Sequence, residues 1–297
     1  MGCTLCPRLC GADRENGERG YCGVGSTVRV ARAAPHFWEE PCLCGPGGSG
    51  TVFFSGCNLG CVYCQNAPLS IDTVGYDLKD GALASLFLSL QEKGVSNLNL
   101  VTPTPWVPKI REALDAAWSQ GFYLPVVFNC GGYERVETLA SLAGYVSVYL
   151  TDFKYLSSSK AAAYSRAPDY PTVALDALRE MVRQRGEPRF TSEGLLKSGV
   201  IVRHLMLPDM LDDTLSLLSL LASEFGDSIL VSLMSQYTPM PAVPPPLDRR
   251  VSEADYRIAA DNLRRLGLVG FLQEGEASEA SFIPLFNGEG IDPAWCL

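Results

Sequence analysis

Histidine is almost missing from this chain of 297 residues, with only His36 and His204 present. That nearly excludes histidine-rich metal chemistry, and no Ser/His/Asp triad is credible with so few. A basic excess is lacking as well: 24 Lys and Arg stand against 33 Asp and Glu, for a formal charge of -9. A broad nucleic-acid surface needs a basic face, so none is expected. Long apolar runs are also wanting. Stretches such as Leu83-Ala-Ser-Leu-Phe-Leu-Ser-Leu90 fall far short of the roughly 20 residues a membrane-spanning helix needs. The amino terminus carries no apolar signal segment, and Cys6 stands where a myristoylation signal has Ser or Thr. The expected location is therefore the reducing cytosol, with no membrane association.

Hydrophobic residues make up 47% of the chain, enough for a substantial core, and cysteine is plentiful at 11. In a reducing compartment such cysteines read as metal ligands rather than disulfides. The pattern divides the chain into a cysteine-rich segment over residues 1–48, a main domain over 49–270, and a tail over 271–297.

In the first segment, Cys3, Cys6, Cys10 and Cys22 supply four thiols over a short glycine-rich stretch. Such a stretch cannot build its own core, and a metal commonly supplies the missing folding energy. Tetrahedral zinc, a single iron, or a second iron–sulfur cluster would all accept these ligands. Val28 to Ala34 alternates with period two and reads as a strand. Cys42 and Cys44 read as metal ligands or as small core residues alike. Gly45-Pro-Gly-Gly-Ser-Gly50 lacks the lysine of a phosphate-binding loop and leads into the first strand of the main domain.

From residue 50 onward strands and helices alternate. Strands are expected at 51–54, 97–102, 124–129, 145–154, 199–207 and 229–234. Helices are expected over 77–93, from Pro108 to about Gln120, from about Glu134, through roughly 158–185, over 211–225 and from Ser252. Apolar positions 83, 86, 87 and 90 form the stripe of the first of these helices. Five prolines between Pro239 and Pro246 mark a semi-rigid loop. In the tail, Phe271, Phe282, Ile283 and Phe286 are expected to pack on the main domain. Repeated βα units predict a parallel sheet, and six of them fit an incomplete (β/α)6 barrel. Functional residues should then gather at the carboxyl ends of the strands.

One loop stands at such an end. Ser55-Gly-Cys-Asn-Leu-Gly-Cys-Val-Tyr-Cys-Gln-Asn66 follows the strand Thr51-Val-Phe-Phe54 and brings Cys57, Cys61 and Cys64 together. A [4Fe–4S] cluster is normally held by four thiolates. Three leave one iron open to a small molecule. Zinc with a fourth ligand elsewhere in the chain is the other reading of the same thiols.

The Cys-x3-Cys-x2-Cys spacing, with Tyr63 before the last cysteine, resembles the signature of the radical S-adenosylmethionine (SAM) superfamily. Further motifs carry the likeness over nearly the whole chain: Phe37-Trp-Glu-Glu-Pro41, Leu150-Thr-Asp-Phe-Lys-Tyr155, Val202-Arg-His-Leu-Met-Leu-Pro208 and Gln236-Tyr-Thr-Pro-Met240. Together they resemble the X-type homologues of pyruvate formate-lyase activating enzyme. The resemblance implies reductive cleavage of SAM at a [4Fe–4S] cluster to a 5′-deoxyadenosyl radical. It also implies hydrogen abstraction from a protein or peptide, with a reductant such as flavodoxin or ferredoxin. A small-molecule substrate, or an electron-transfer or scaffold role without catalysis, are the alternatives.

By the same resemblance Cys57, Cys61 and Cys64 hold the cluster, Tyr63 lies near the adenine, and Asn66, Asp152 and Lys154 contact SAM. Thr102, Asn129, Arg203 and Gln236 fall at strand ends and join the expected site. His204 alternates with Arg203 along its strand and is expected to face the core. One departure matters. The Gly-Gly-Glu that supports the SAM amino group in the family is replaced by Val101-Thr-Pro-Thr-Pro105.

Overall fold

The computed structural model describes residues 2–241, 243–273 and 285–297. In chain order the strands are β1 (Arg29–His36), β2 (Ser49–Phe54), β3 (Tyr76–Asp77), β4 (Leu98–Val101) and β5 (Val126–Cys130). They continue with β6 (Val148–Asp152), β7 (Arg189–Phe190), β8 (Leu196–Leu205), β9 (Leu230–Met234) and β10 (Gly270–Leu272). The helices are α1 (Ala67–Ser70), α2 (Ala82–Glu92), α3 (Val107–Trp118) and α4 (Val136–Ala140). After these come α5 (Ser158–Ser165), α6 (Tyr170–Arg185), α7 (Leu211–Glu224) and α8 (Glu253–Arg265).

Strands β2, β4 and β5 are buried at every position, as parallel strands covered on both faces must be. They belong to one open sheet of order β10-β9-β8-β6-β5-β4-β2-β1-β3, with β7 paired to β8 off that path. From β2 to β10 the pairings along the path are parallel, while β1 joins β2 antiparallel. This is the incomplete barrel expected, with all six strands of the βα repeat present. Gly270–Leu272 adds a further parallel strand on β9. Thus Phe271 enters the sheet, while Phe286 meets Phe53 edge-on at 5.5 Å between ring centres. Phe282 and Ile283 lie outside the described residues.

The helices cover the outer face with the stripes their sequences carry. On α2, Leu83, Leu86, Phe87 and Leu90 are all buried. Pro108 sits in the first turn of α3, where its missing N–H costs nothing. Ser252 caps α8 by accepting a hydrogen bond from the Asp255 amide. Two helices differ from expectation. The stretch 158–185 is broken into α5 and α6 by Arg166, at φ 54°, ahead of Pro168. The helix expected from Glu134 starts at Val136 and runs for five residues, because Glu134 itself is buried against Thr104.

Residues 42 and 43 reach under the sheet. Cys42 and Leu43 are buried with Val127, Val148, Leu150, Ile201 and Leu230 in a separate apolar cluster. The Cys44 thiol points at the carbonyls of His36 and Glu39, at 3.6 Å each. His204 is buried, with one ring nitrogen 2.7 Å from the Phe153 carbonyl and the other 2.9 Å from Thr214 Oγ1. It is a structural residue. Among the described residues no helix is long and apolar enough to cross a membrane.

Candidate active site

The carboxyl ends of the parallel strands enclose a cavity of about 740 Å³. It falls in the size range of pockets that hold cofactor-sized ligands, about 300–1,000 Å³. Cys57, Cys61, Cys64, Tyr63, Asn66, Thr102, Asn129, Asp152, Lys154, Arg203 and Gln236 all line it. Eleven residues picked from six separate places in the sequence therefore share one wall.

The three thiols sit on the loop after β2. That loop turns at Gly56, φ 91°, where a Cβ would come within 2.9 Å of the Cys22 carbonyl oxygen. Only glycine allows the amino-terminal segment to press so closely. Each sulfur has its own neighbouring donor. The Leu59 amide reaches Cys57 Sγ at 3.4 Å, the Ser70 hydroxyl reaches Cys64 Sγ at 3.4 Å, and Ser165 Oγ lies 2.9 Å from Cys61 Sγ. Donors on sulfur favour the thiolate and tune any iron bound to it. Burial, reinforced by the neighbouring Cys61 and Cys64 thiols, pushes Cys57 up to about 12. Three such thiols deprotonate together when a metal cation takes their charge. Among the described residues no three Cys, His, Asp or Glu side chains converge on a site for a single ion.

Opposite the thiols lies a compact array of charge. The Asp152 carboxylate pairs with Lys154 Nζ at 2.6 Å and with Arg203 Nε at 3.0 Å. Burial works to raise the Asp152 carboxyl, but the charges of Lys154 and Arg203 outweigh it and hold it below its ordinary value. Burial likewise works against the Lys154 ammonium, and Asp152 together with Cys61 keeps it firmly protonated. Arg203 also donates to Asn129 Oδ1 at 2.7 Å. Gly132, φ 79°, makes this packing possible, since a Cβ there would stand 2.1 Å from the Asp152 carbonyl oxygen.

The sequence reading missed Glu39. Its Oε2 accepts from Asn99 at 2.8 Å and from Asn129 at 3.3 Å, and its Oε1 lies 3.5 Å from Arg203 Nη1. The Phe-Trp-Glu-Glu-Pro motif that supplies it was visible, but nothing in the sequence shows it reaching across to three strands, β4, β5 and β8. Its neighbour Glu40 is buried, which pushes its carboxyl up to about 6 despite nearby Arg203. Gln273, after β10, was missed too: its amide pairs with Gln236 Oε1 at 2.6 Å.

The Val101–Pro105 stretch brings two threonine hydroxyls to the cavity wall. Thr102, at φ 54°, directs its hydroxyl to backbone carbonyls of Phe54 and Val101 at 2.8 and 2.7 Å. Thr104 donates to Glu134 Oε1 at 2.9 Å. Both hydroxyl protons are thus committed within the protein, leaving lone pairs for a ligand. Glu134, from the Asn129–Glu134 run after β5, is drawn back to the β4 loop. Tyr63 is buried and shares a hydrogen bond with Tyr155, its ring edge-on to Tyr237. Asn66 stands at the N-cap of α1 without a capping bond from its side chain, and it lines the cavity.

The open (β/α) barrel is a fold shared with solved radical SAM enzymes. The chain resembles a radical SAM methyltransferase from Sphaerobacter thermophilus, with a TM-score of 0.52 and 15% identity, over 78% of this chain and 68% of that one. It also resembles HydG, a maturase of the [FeFe]-hydrogenase, with a TM-score of 0.51 and 15% identity, over 76% of this chain and 51% of that one. At these identities the likeness is one of fold. In sequence, the chain is 30% identical over 249 residues to an uncharacterised protein of Methanocaldococcus jannaschii, over 80% of this chain. It spans 66% of that relative's length. No family model matches the chain.

Proposed function

We propose that this chain is a radical SAM enzyme. One observation carries the reading: Cys57, Cys61 and Cys64, each with a donor at its sulfur, face the same cavity as the Asp152–Lys154–Arg203 array. With cluster and SAM bound, such a site supplies one-electron reductive cleavage of the sulfonium to a 5′-deoxyadenosyl radical. Cys57, Cys61 and Cys64 would hold such a cluster by three thiolates, one fewer than the usual four.

The rest of the wall binds and orients. Lys154 offers an ammonium to a carboxylate, and Asp152, already charged, accepts from hydroxyl or ammonium groups. Asn129 and Arg203 are fixed by Glu39 and so present a rigid polar floor. Buried Tyr63 and half-buried Asn66 close the site beside the thiols and limit water. Lys154 keeps its proton, so it positions by charge rather than by proton transfer.

The motifs shared with activating-enzyme homologues support a protein or peptide substrate, with hydrogen taken from a glycine. A flavodoxin or ferredoxin in the cytosol would supply the electron. Incubating the anaerobically reconstituted protein with SAM and dithionite should release 5′-deoxyadenosine and methionine. A glycyl radical signal on a co-encoded partner would support the peptide target. Turnover of a small molecule without such a signal would overturn that part alone.

A further inference from the structure

A second, much smaller cavity lies behind the cluster loop. Cys3, Cys6, Cys10 and Cys22 all line it, and Asn58, Thr104 and Pro105 form a wall common to it and the main cavity. All four cysteines are free. Gly11, φ 67°, and Gly23, φ 79°, follow Cys10 and Cys22 and make the turns. Gly20 lies between two of the sulfurs, where a Cβ would sit 2.9 Å from Cys10 Sγ and 3.7 Å from Cys22 Sγ. Four free thiols lining one small cavity are the ligand set of a thiolate-bound metal, whose cation takes up the charge they gain on losing their protons.

We propose that Cys3, Cys6, Cys10 and Cys22 hold a thiolate-bound metal centre of iron or zinc that fastens the amino-terminal segment beneath the cluster loop. The four sulfurs ring the cavity without meeting at one ion-sized point. Binding draws them in around a single ion, or leaves them apart around a second iron–sulfur cluster. The segment between these cysteines is already the clamp. Arg8 donates to the carbonyls of Asn58 at 2.8 Å and Leu59 at 3.2 Å, inside the Cys57–Cys61 turn. It also donates to Arg166 O at 2.6 Å, just past the end of α5. Its guanidinium stacks 4.0 Å above the Tyr21 ring, and the Tyr21 hydroxyl donates to Leu59 O at 3.0 Å. So short a segment has little apolar core with which to hold this grip, and a metal supplies it. The site stands or falls independently of the radical SAM reading.

The test is metal content of the full chain purified without oxygen. A Cys57→Ser/Cys61→Ser/Cys64→Ser variant should keep either about four irons with sulfide or about one zinc or iron ion per chain. Adding Cys6→Ser and Cys22→Ser should remove that metal. Where the first variant does not fold, the Cys6→Ser/Cys22→Ser variant alone should lose the same increment from the wild-type content. Equal metal in wild type and that variant, or a folded triple variant without iron or zinc, would overturn the site. Hydrogen exchange at the amides of residues 57–61 should speed up when the amino-terminal metal is lost, and unchanged exchange would overturn the clamp.

Discussion

Cys61 Sγ and Ser165 Oγ stand 2.9 Å apart in the core, joining the cluster loop to the last residue of α5. Ser165 is fully buried, and its oxygen lies 3.0 Å from the Tyr155 hydroxyl, which in turn meets Tyr63. The hydroxyl is therefore held where it can donate to a thiolate. A donor on a cluster sulfur favours the more negative, reduced state. Ser165→Ala should leave the cluster assembled but move its midpoint potential to a more negative value in an EPR-monitored titration. Ser165→Thr should restore it.

Tyr170 pins the two strand ends that carry the charged array. Its oxygen accepts the Lys154 amide at 3.0 Å and lies within reach of the Gly131 and Asp152 carbonyls, at 2.9 and 3.0 Å. Tyr170→Phe keeps the ring and strands the buried amide and a carbonyl. A loss of about 1–3 kcal/mol is expected, read as a lower denaturant midpoint at unchanged slope.

Removing the shared carboxylate has a larger effect. Asp152→Asn leaves Lys154 and Arg203 together, with side chains only 18% and 20% exposed. Breaking such a pair costs about 3–5 kcal/mol when fully buried, and partial exposure places this one near the lower end. The Asp152 carboxyl is held below its ordinary value in the fold, so its contribution is present above that value and disappears as pH falls through the folded one. The variant's stability deficit should thus shrink on acidification.

Glu134 carries the opposite sign. Burial, opposed by the hydrogen bond from Thr104, pushes its carboxyl from 4.5 to about 8. One of its oxygens, Oε2, has no hydrogen-bond partner among the described residues. Below pH 4.5 the folded and unfolded chains both keep the proton. Above it the unfolded chain ionises first, and stability falls until about pH 8. Glu134→Gln removes this slope. Its melting temperature should gain on wild type between pH 5 and 8, and a parallel pH dependence of the two proteins would contradict the burial argument.

The parts of the fold that follow periodic patterns were legible in the sequence. The stripe at 83, 86, 87 and 90 and the apolar strands each report the face they bury, because side-chain period and burial are directly coupled. The cavity wall was legible wherever a polar residue stood at a strand's carboxyl end, as with Asn129, Asp152 and Arg203. Glu39 was not, since its role depends on a loop before β2 crossing to β4, β5 and β8. Ser165 was hidden for a similar reason: a serine at a helix end carries no mark of the sulfur it will meet. Short β10 lacked the length to show a period. The break at Arg166 had one local signal, the strain that Pro168 places on the preceding residue.

The central claim is that the three loop thiols and the charged array together form a site for reductive cleavage of SAM. The direct measurement is 5′-deoxyadenosine released per chain from SAM and dithionite under anaerobic conditions, by wild type and by Cys57→Ala. The account predicts product from the wild type and none from the variant. Wild-type protein with its cluster assembled and SAM bound, yet yielding no 5′-deoxyadenosine, would contradict it.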